Sequence, residues 1–534
     1  MTNPRNNLTG TPRDPRERLA LLALAITLLI PIGWGADGQF AWDNSIVPTE
    51  VLRAMANGFS SSQLLTYGPL PYYLFAGAMA TVLVPLKLLG ELGTASPIYP
   101  WGFRHPEQSM TLLVTAAHLV TMALAMCLAV LALRRARPYG LGWLAPILLL
   151  GSPVFAFYAR TSNVDMHYFF WIWLAFFFCE TATSVGGLRW AGVAAALAVC
   201  SKEQVAPLSL VAGLDAMWRA SRLAPDGSRP PDGALTSPRN WRAAASVVAA
   251  AVLAYVVAWR LPFAYASWHS HHEFIFHVAK YPRTYPATPR GLLELAIQVM
   301  GQLPEVLGMP VLIGVVLAIA LRASWRGLGA RSVGCAFYSV GFLGVIGYTY
   351  ERFLLPFLLV GLPLAVRGYR AAFDAWAKRP AWRTALVSAA VLTSLLGGPL
   401  MSWVMLKDPR YDVERWLRSH VPDGTTIEIA GNPHYQARIP HSLNIVYARA
   451  DSIRARPRGP IGELVLTSSI DRYSYERDPI VRKAWFESLL DVAQYRRVRF
   501  VRASSGPIWD FEIPDIDVYV RTTSPVLASD GKAR

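Results

Sequence analysis

Cysteine is scarce: the 534 residues hold four, Cys127, Cys179, Cys200 and Cys335. All four fall inside apolar segments, so no disulfide framework, redox pair or cysteine metal motif is expected. Charge is thin as well, at 16% of residues, and the acidic sign is the scarcer, with 35 Asp and Glu against 51 Lys and Arg. A net charge of +16 would suit a nucleic-acid binder. Here, however, the basic residues lie mostly in short loops between apolar runs. That is orientation charge, not a groove for phosphates, and it excludes nucleic acid as a partner. Internal repeats are lacking, as are paired Gly/Pro-broken halves, which weighs against a transporter. No cleavable signal precedes the first apolar run. Arg13, Arg16 and Arg18 followed by Leu19–Trp34 read as an uncleaved anchor.

What the chain has in quantity is apolar sequence, 53% of residues, with 12% aromatic. Several stretches reach the roughly 20 apolar residues that span a bilayer. The expected fold is an α-helical polytopic membrane protein of about 11 transmembrane helices with a C-terminal extracytoplasmic α/β domain. Residues 1–18 form a cytoplasmic tail, 19–406 the membrane domain with a large external loop at 35–110, and 407–534 the external domain. The basic clusters at Arg134–Arg137, Arg322–Arg331 and Arg367–Arg383 all agree with an N-terminus inside and a C-terminus outside an inner membrane. Tyr67–Gly90 is long enough to cross, but crossing would place Arg134, Arg135 and Arg137 outside. Pro69, Pro71 and Pro85 also interrupt it, so a re-entrant or juxtamembrane pair is expected there. The residues after Lys407 change to a mixed, charged composition. Helices are expected at Asp412–His420 and Trp485–Ala493, and strands at Thr426–Ala430, Ile461–Thr467, Val498–Arg502 and Asp517–Arg521.

Four external span ends carry ionisable residues at one depth, which points to a shared cavity. The first lies in the stretch Trp34–Tyr73, which holds Asp37, Asp43 and Glu50. Asp43 sits between the interface-seeking Trp42 and a helical stretch at Val51–Asn57, and is the candidate general base; Asp37 reads as solvated. The others are Ala159–His167 with Asn163, Asp165 and His167, Ser201–Gln204 with Lys202 and Glu203, and Tyr348–Arg352 with Tyr350 and Arg352. Lys202 and Arg352 are the candidates to bind a phosphate. Asn44, Asp165, His167, Glu203 and Tyr350 are the candidates to orient a substrate. Lys202–Glu203 reads equally well as a local pair capping a turn, and Glu351–Arg352 as a turn salt bridge worth little. Asn163 and Asp165 with Asp43 offer oxygens to a divalent cation, the one cofactor considered. His269, His271, His272 and His277 match no standard ligand spacing and read as an interface or acceptor contact.

Taken in order, the acid after the first span, YGPLPYY, Arg160–Asp165, GVAAALAVCSKE and ERFLLPFLLV resemble the GT-C glycosyltransferases. The nearest branch is that of protein O-mannosyltransferases and the bacterial lipid A aminoarabinose transferase, and the similarity covers roughly residues 15–405. The resemblance implies transfer of a sugar from a polyprenyl-phosphate donor to an acceptor hydroxyl of a glycan, lipid or protein, outside the membrane and with inversion. The bilayer would deliver the donor. In that family the loop acid is usually followed by a second; Asp43 is followed by Asn44, leaving one carboxylate. A transporter or flippase of lipid-linked sugars, and a non-catalytic envelope assembly protein, are the alternative readings.

Overall fold

A computed structural model describes residues 14–36, 48–59, 65–94, 96, 101–223, 240–275, 283–325, 327–431, 435–502 and 515–526. Asp37, Trp42, Asp43, Asn44 and His277 lie outside the described residues. The chain is a multi-pass helical membrane protein with a small α/β unit. One unit comprises Met1–Ile32 with Ser45–Ser402, the other Trp403–Arg534 together with the described residues Gly33–Ala36.

In the helical unit, prolines open helices more often than they break them. Pro15, Pro69, Pro106, Pro153 and Pro289 all sit in first turns, where the missing N–H has no intrahelical partner to lose. This corrects the expectation for Tyr67–Gly90. Pro69 and Pro71 start one continuous helix, Pro69–Leu88, and Pro85 falls in its last turn. Its 20 residues reach about 30 Å at 1.5 Å per residue, and it is apolar enough to cross a bilayer by length and composition. Five further helices meet that test: Pro106–Tyr139, Trp241–Trp259, Gly329–Ile346, Glu351–Ala375 and Pro380–His420. The apolar stretch Leu292–Leu321, long for one crossing, is two helices, Pro289–Leu307 and Met309–Ala320, bent by 112°.

Other apolar stretches form shorter or broken helices. Leu141–Tyr158 divides into Leu144–Leu150 and Pro153–Tyr158. Glycine backbone packs against this break: a Cβ on Gly308, whose φ is +76°, would lie 2.0 Å from the Gly151 carbonyl oxygen, and one on Gly397 would lie 2.5 Å from the same atom. Three helix breaks are thus stacked on glycine backbone. The helix Asp165–Thr181 (DMHYFFWIWLAFFFCET) buries residues on every side, as an all-apolar helix does when it occupies a bundle interior. The helices Pro106–Ala136, Val185–Val199 and Ala206–Ser221 pack around it. Outward faces carry exposed Leu253, Val257, Phe263, Val316, Ile319 and Leu392, as helices solvated by hydrocarbon do.

The second unit holds a five-stranded sheet among the described residues: β1 (Thr426–Ala430), β2 (Asn444–Ala448), β3 (Leu464–Ser468), β4 (Tyr495–Val501) and β5 (Ile516–Arg521), in the order β2-β1-β3-β5-β4. β1 pairs in parallel with both β2 and β3, and β5 is antiparallel to β3 and β4. Apolar clusters cover both faces: Val413, Leu417 and Leu466 on one, Val465, Trp485 and Tyr519 on the other. β2, not expected from sequence, is a largely exposed edge and lacks the alternation that marks a half-buried strand. Glu428 in β1, fully buried, accepts hydrogen bonds from Arg458 (2.9 Å), the Gly462 amide (3.0 Å) and Trp485 Nε1 (3.2 Å). Such a buried carboxylate is tolerated because its lone pairs are occupied. Within this unit Trp34 Nε1 donates to Asp408 (2.9 Å), which Arg410 also grips at 2.6 Å.

Candidate active site

The site is built outward from Asp165. Asn163 Oδ1 accepts the Asp165 amide at 2.8 Å, a local turn that starts the helix. It leaves the carboxylate at the helix N-terminus, where the macrodipole favours negative charge. The carboxylate is inaccessible to solvent. Lys202 Nζ donates to its Oδ1 at 2.6 Å and Gln204 Nε2 donates to the same oxygen at 3.2 Å, while Arg352 Nε stands 3.9 Å from Oδ2.

Lys202 reaches Asp165 from the turn between the helices Val185–Val199 and Ala206–Ser221. Three rings surround its ammonium, Phe353 at 5.4 Å, Tyr67 at 5.6 Å and Tyr168 at 5.8 Å. Arg352 lies 5.5 Å from the Tyr350 ring and 5.6 Å from Phe353, and Tyr168 donates its hydroxyl to the Arg352 carbonyl at 3.3 Å. Two cations therefore share one carboxylate in a largely desolvated setting. Buried charge is costly unless paired, and two cations converging on one desolvated spot suit an anionic ligand.

The acidic neighbours of these cations are engaged elsewhere. Glu203 binds His271 Nε2 at 2.7 Å and Glu351 accepts from Gln302 at 2.8 Å. The structure thereby overturns the reading of Lys202–Glu203 and Glu351–Arg352 as local pairs: in each, the basic member goes to Asp165 and the acidic member to a distant partner. The segment YGPLPYY joins the same place. A Cβ on Gly68 would lie 2.1 Å from the Cys200 carbonyl oxygen, which also accepts the Leu70 amide at 3.2 Å. Only glycine permits that approach to the Lys202 turn. Tyr72 in turn donates to Glu50 at 3.1 Å, and burial raises the Glu50 carboxyl above its ordinary value.

The other expected residues are placed as follows. His167 is buried, 3.5 Å from Thr121 Oγ1 and edge-on to Phe75, so it faces the helices Pro106–Ala136 and Pro69–Leu88. Tyr350 is half exposed beside Arg352. His271 is on the helix Leu261–Glu273. Arg160 is fully buried and donates to the Thr27 carbonyl (2.9 Å) and Ser402 (2.6 Å), tying span ends together. Gln204, Gln302, Tyr168 and Phe353 were not anticipated; Gln204 stood inside the flagged SKEQ, but nothing in an apolar helix marks Tyr168. Asn163 and Asp165 do not suit a divalent cation as they stand, because the first spends its carbonyl on an amide and the second is held by an ammonium. Among the described residues no group of three His, Cys, Asp or Glu could hold a metal. A shallow pocket is lined by Phe59, Leu65, Pro69, Tyr73, Trp259, Ala264 and Ser267.

These features define a polytopic helical membrane protein with a buried, cation-rich polar cluster and an appended α/β unit. No family model matches the chain, and no curated protein does. Among solved structures it is similar to ArnT from Cupriavidus metallidurans in the apo state, at 11% identity and TM-score 0.46 over 94% of this chain and 97% of that one. It is similar likewise to ArnT bound to undecaprenyl phosphate, at 12% and 0.45 over 94% and 97%. A third likeness is to the Archaeoglobus fulgidus oligosaccharyltransferase in complex with Zn and sulfate, at 13% and 0.37 over 80% of this chain and 62% of that one.

Proposed function

We propose that this chain is a GT-C-like membrane glycosyltransferase that takes a sugar from a polyprenyl-phosphate carrier and transfers it, with inversion, to an acceptor hydroxyl on the external face. The observation that carries the reading is the pair of cations, Lys202 and Arg352, on the single buried carboxylate of Asp165. A lipid phosphate taking over one or both cations would meet charge-assisted donors in a dry, aromatic-lined setting.

In the proposed reaction Asp43 accepts the proton of the acceptor hydroxyl. The hydroxyl oxygen forms a bond to the anomeric carbon, and the bond from that carbon to the carrier phosphate breaks. The phosphate leaves with the electron pair, and Lys202 and Arg352 offset its charge. Asn44 and Tyr350 would orient sugar or acceptor. Glu203 acts through His271, and Asp165 holds the two cations in place between carriers. The basic loops support an N-terminus in the cytoplasm and a C-terminal unit outside.

Asp43→Asn keeps the size and hydrogen bonding of the side chain but takes up no proton at neutral pH. A positioned general base contributes about 10²–10⁴-fold. The variant should therefore accumulate normally, retain carrier binding and lose transfer by about 10²-fold or more, measured as labelled sugar moved from a polyprenyl-phosphate donor in membranes. Asp37→Asn should have a much smaller effect. Full transfer by Asp43→Asn with loss in Asp37→Asn would move the base to Asp37.

A further inference from the structure

His271 has an acceptor on each ring nitrogen. Nδ1 lies 2.6 Å from the Leu65 carbonyl oxygen and Nε2 lies 2.7 Å from Glu203 Oε1. A carbonyl only accepts, and so does a carboxylate. A neutral imidazole has one N–H, so with ionised Glu203 it would leave one of these close contacts between two acceptors. Both contacts are hydrogen bonds only if the His271–Glu203 pair keeps one extra proton. The side chain is fully buried, where an unmade hydrogen bond is costly. Its bond to Glu203 joins the helix Leu261–Glu273 to the turn that carries Lys202, and its bond to Leu65 joins the same helix to the residues leading into Tyr67 and Gly68. Those residues already press on the turn through Gly68 and Cys200.

We propose that His271 is a positioning residue for the proposed transfer, a protonated latch that holds the Lys202 turn and the Leu65–Tyr73 segment in register. The inference rests on the glycosyltransferase reading for its catalytic consequence, but the latch itself does not. Burial alone would lower the imidazole; the hydrogen bond and charge of Glu203, with the Leu65 carbonyl, raise it above its ordinary 6.5. The other titratable groups around the pair are Cys200 and Lys202 on the turn, Tyr255 on the helix Trp241–Trp259, and His272 and His269 on its own helix. Burial lowers His272, so it is not the group that charges first. A group whose folded value is raised stabilises fully below its unfolded value and loses that contribution as pH rises through the folded one. The latch is therefore closed at and below 6.5 and opens as pH rises through the raised value of the folded pair.

The test uses the full-length protein in detergent, melted across pH 5.5 to 9 in steps of about half a unit. His271→Gln should melt below the native protein at low pH, with the gap closing as pH rises. Glu203→Gln distinguishes the latch from a general loss of fold. A neutral His271 can donate Nδ1–H to Leu65 and accept at Nε2 from the glutamine amide, so both hydrogen bonds survive without the proton. Its melting temperature should follow no pH-dependent component of this kind. A native-minus-His271→Gln gap that is flat with pH, or one that persists unchanged in the Glu203→Gln background, would overturn the latch. The catalytic arm compares kcat for transfer: His271→Gln should lose about tenfold or more at pH 6, with the deficit shrinking toward pH 9 as the native enzyme itself unlatches. Equal pH profiles for the two would overturn the positioning role while leaving the latch. An absence of transfer in both, with the melting results as expected, would count against the glycosyltransferase reading alone.

Discussion

Neutralising Asp165 tests the cation cluster most directly. Asp165→Asn keeps an oxygen for Lys202 and Gln204 and changes almost no volume, so its cost is electrostatic. Lys202 Nζ sits 2.6 Å from the carboxylate with both side chains at or below 9% exposure. Removing one partner of such a buried pair costs about 3–5 kcal/mol, mostly because the other charge is left uncompensated. Arg352 adds little, at 3.9 Å and 19% exposure. The unliganded variant should therefore lose about 3 kcal/mol or more in detergent melting. Its response to undecaprenyl phosphate should run the other way. In the native protein a carrier phosphate competes with Asp165 for Lys202 and Arg352; in the variant that competitor is gone. The carrier should bind about tenfold more tightly, worth about 1.4 kcal/mol, and raise the melting point of the variant more than that of the native protein. Titration of melting temperature against carrier concentration reads both effects. An Asp165→Asn protein with native stability and unchanged or weakened carrier binding would refute the assignment of this cluster to a phosphate.

Other outcomes follow from the same geometry. Lys202→Met and Arg352→Met should each raise the barrier to transfer by about 2–4 kcal/mol with smaller changes in protein level; unaltered specific activity in both would make these cations structural. Gly68→Ala should cost about 1–3 kcal/mol in stability, because its methyl would lie 2.1 Å from the Cys200 carbonyl oxygen and the Lys202 turn would have to move. A variant that melts and transfers like the native chain would show that the two segments do not press on one another. Cysteines introduced at Ser96 and Asp451 should react with an impermeant reagent from outside intact cells, and one at Gly327 should not; labelling at Gly327 would reverse the proposed orientation.

The class of protein was legible because composition and period are local properties. Apolar runs near the bilayer thickness, arginines between them and the compositional break after Leu406 all survive reading one window at a time. So did the site's ingredients, since an ionisable residue at the end of an apolar run stands out without knowledge of its neighbours: Asp165, Lys202, Glu203, Tyr350 and Arg352 were all visible. Proline was misleading at Pro69 and Pro71, because its effect depends on whether a helix begins or continues there. Partnership was not legible at all. Lys202 stands beside Glu203 in the chain but pairs with Asp165, 37 residues away, while Glu203 takes His271, 68 residues away. The choice is made where packing brings chain-distant backbones within hydrogen-bond reach, as Gly68 does against Cys200, and where burial penalises every charge left without a partner. The sequence by itself determined which residues could carry charge at the membrane surface; only the tertiary structure decided which of those charges meet, because pairing depends on which chain-distant groups packing brings together.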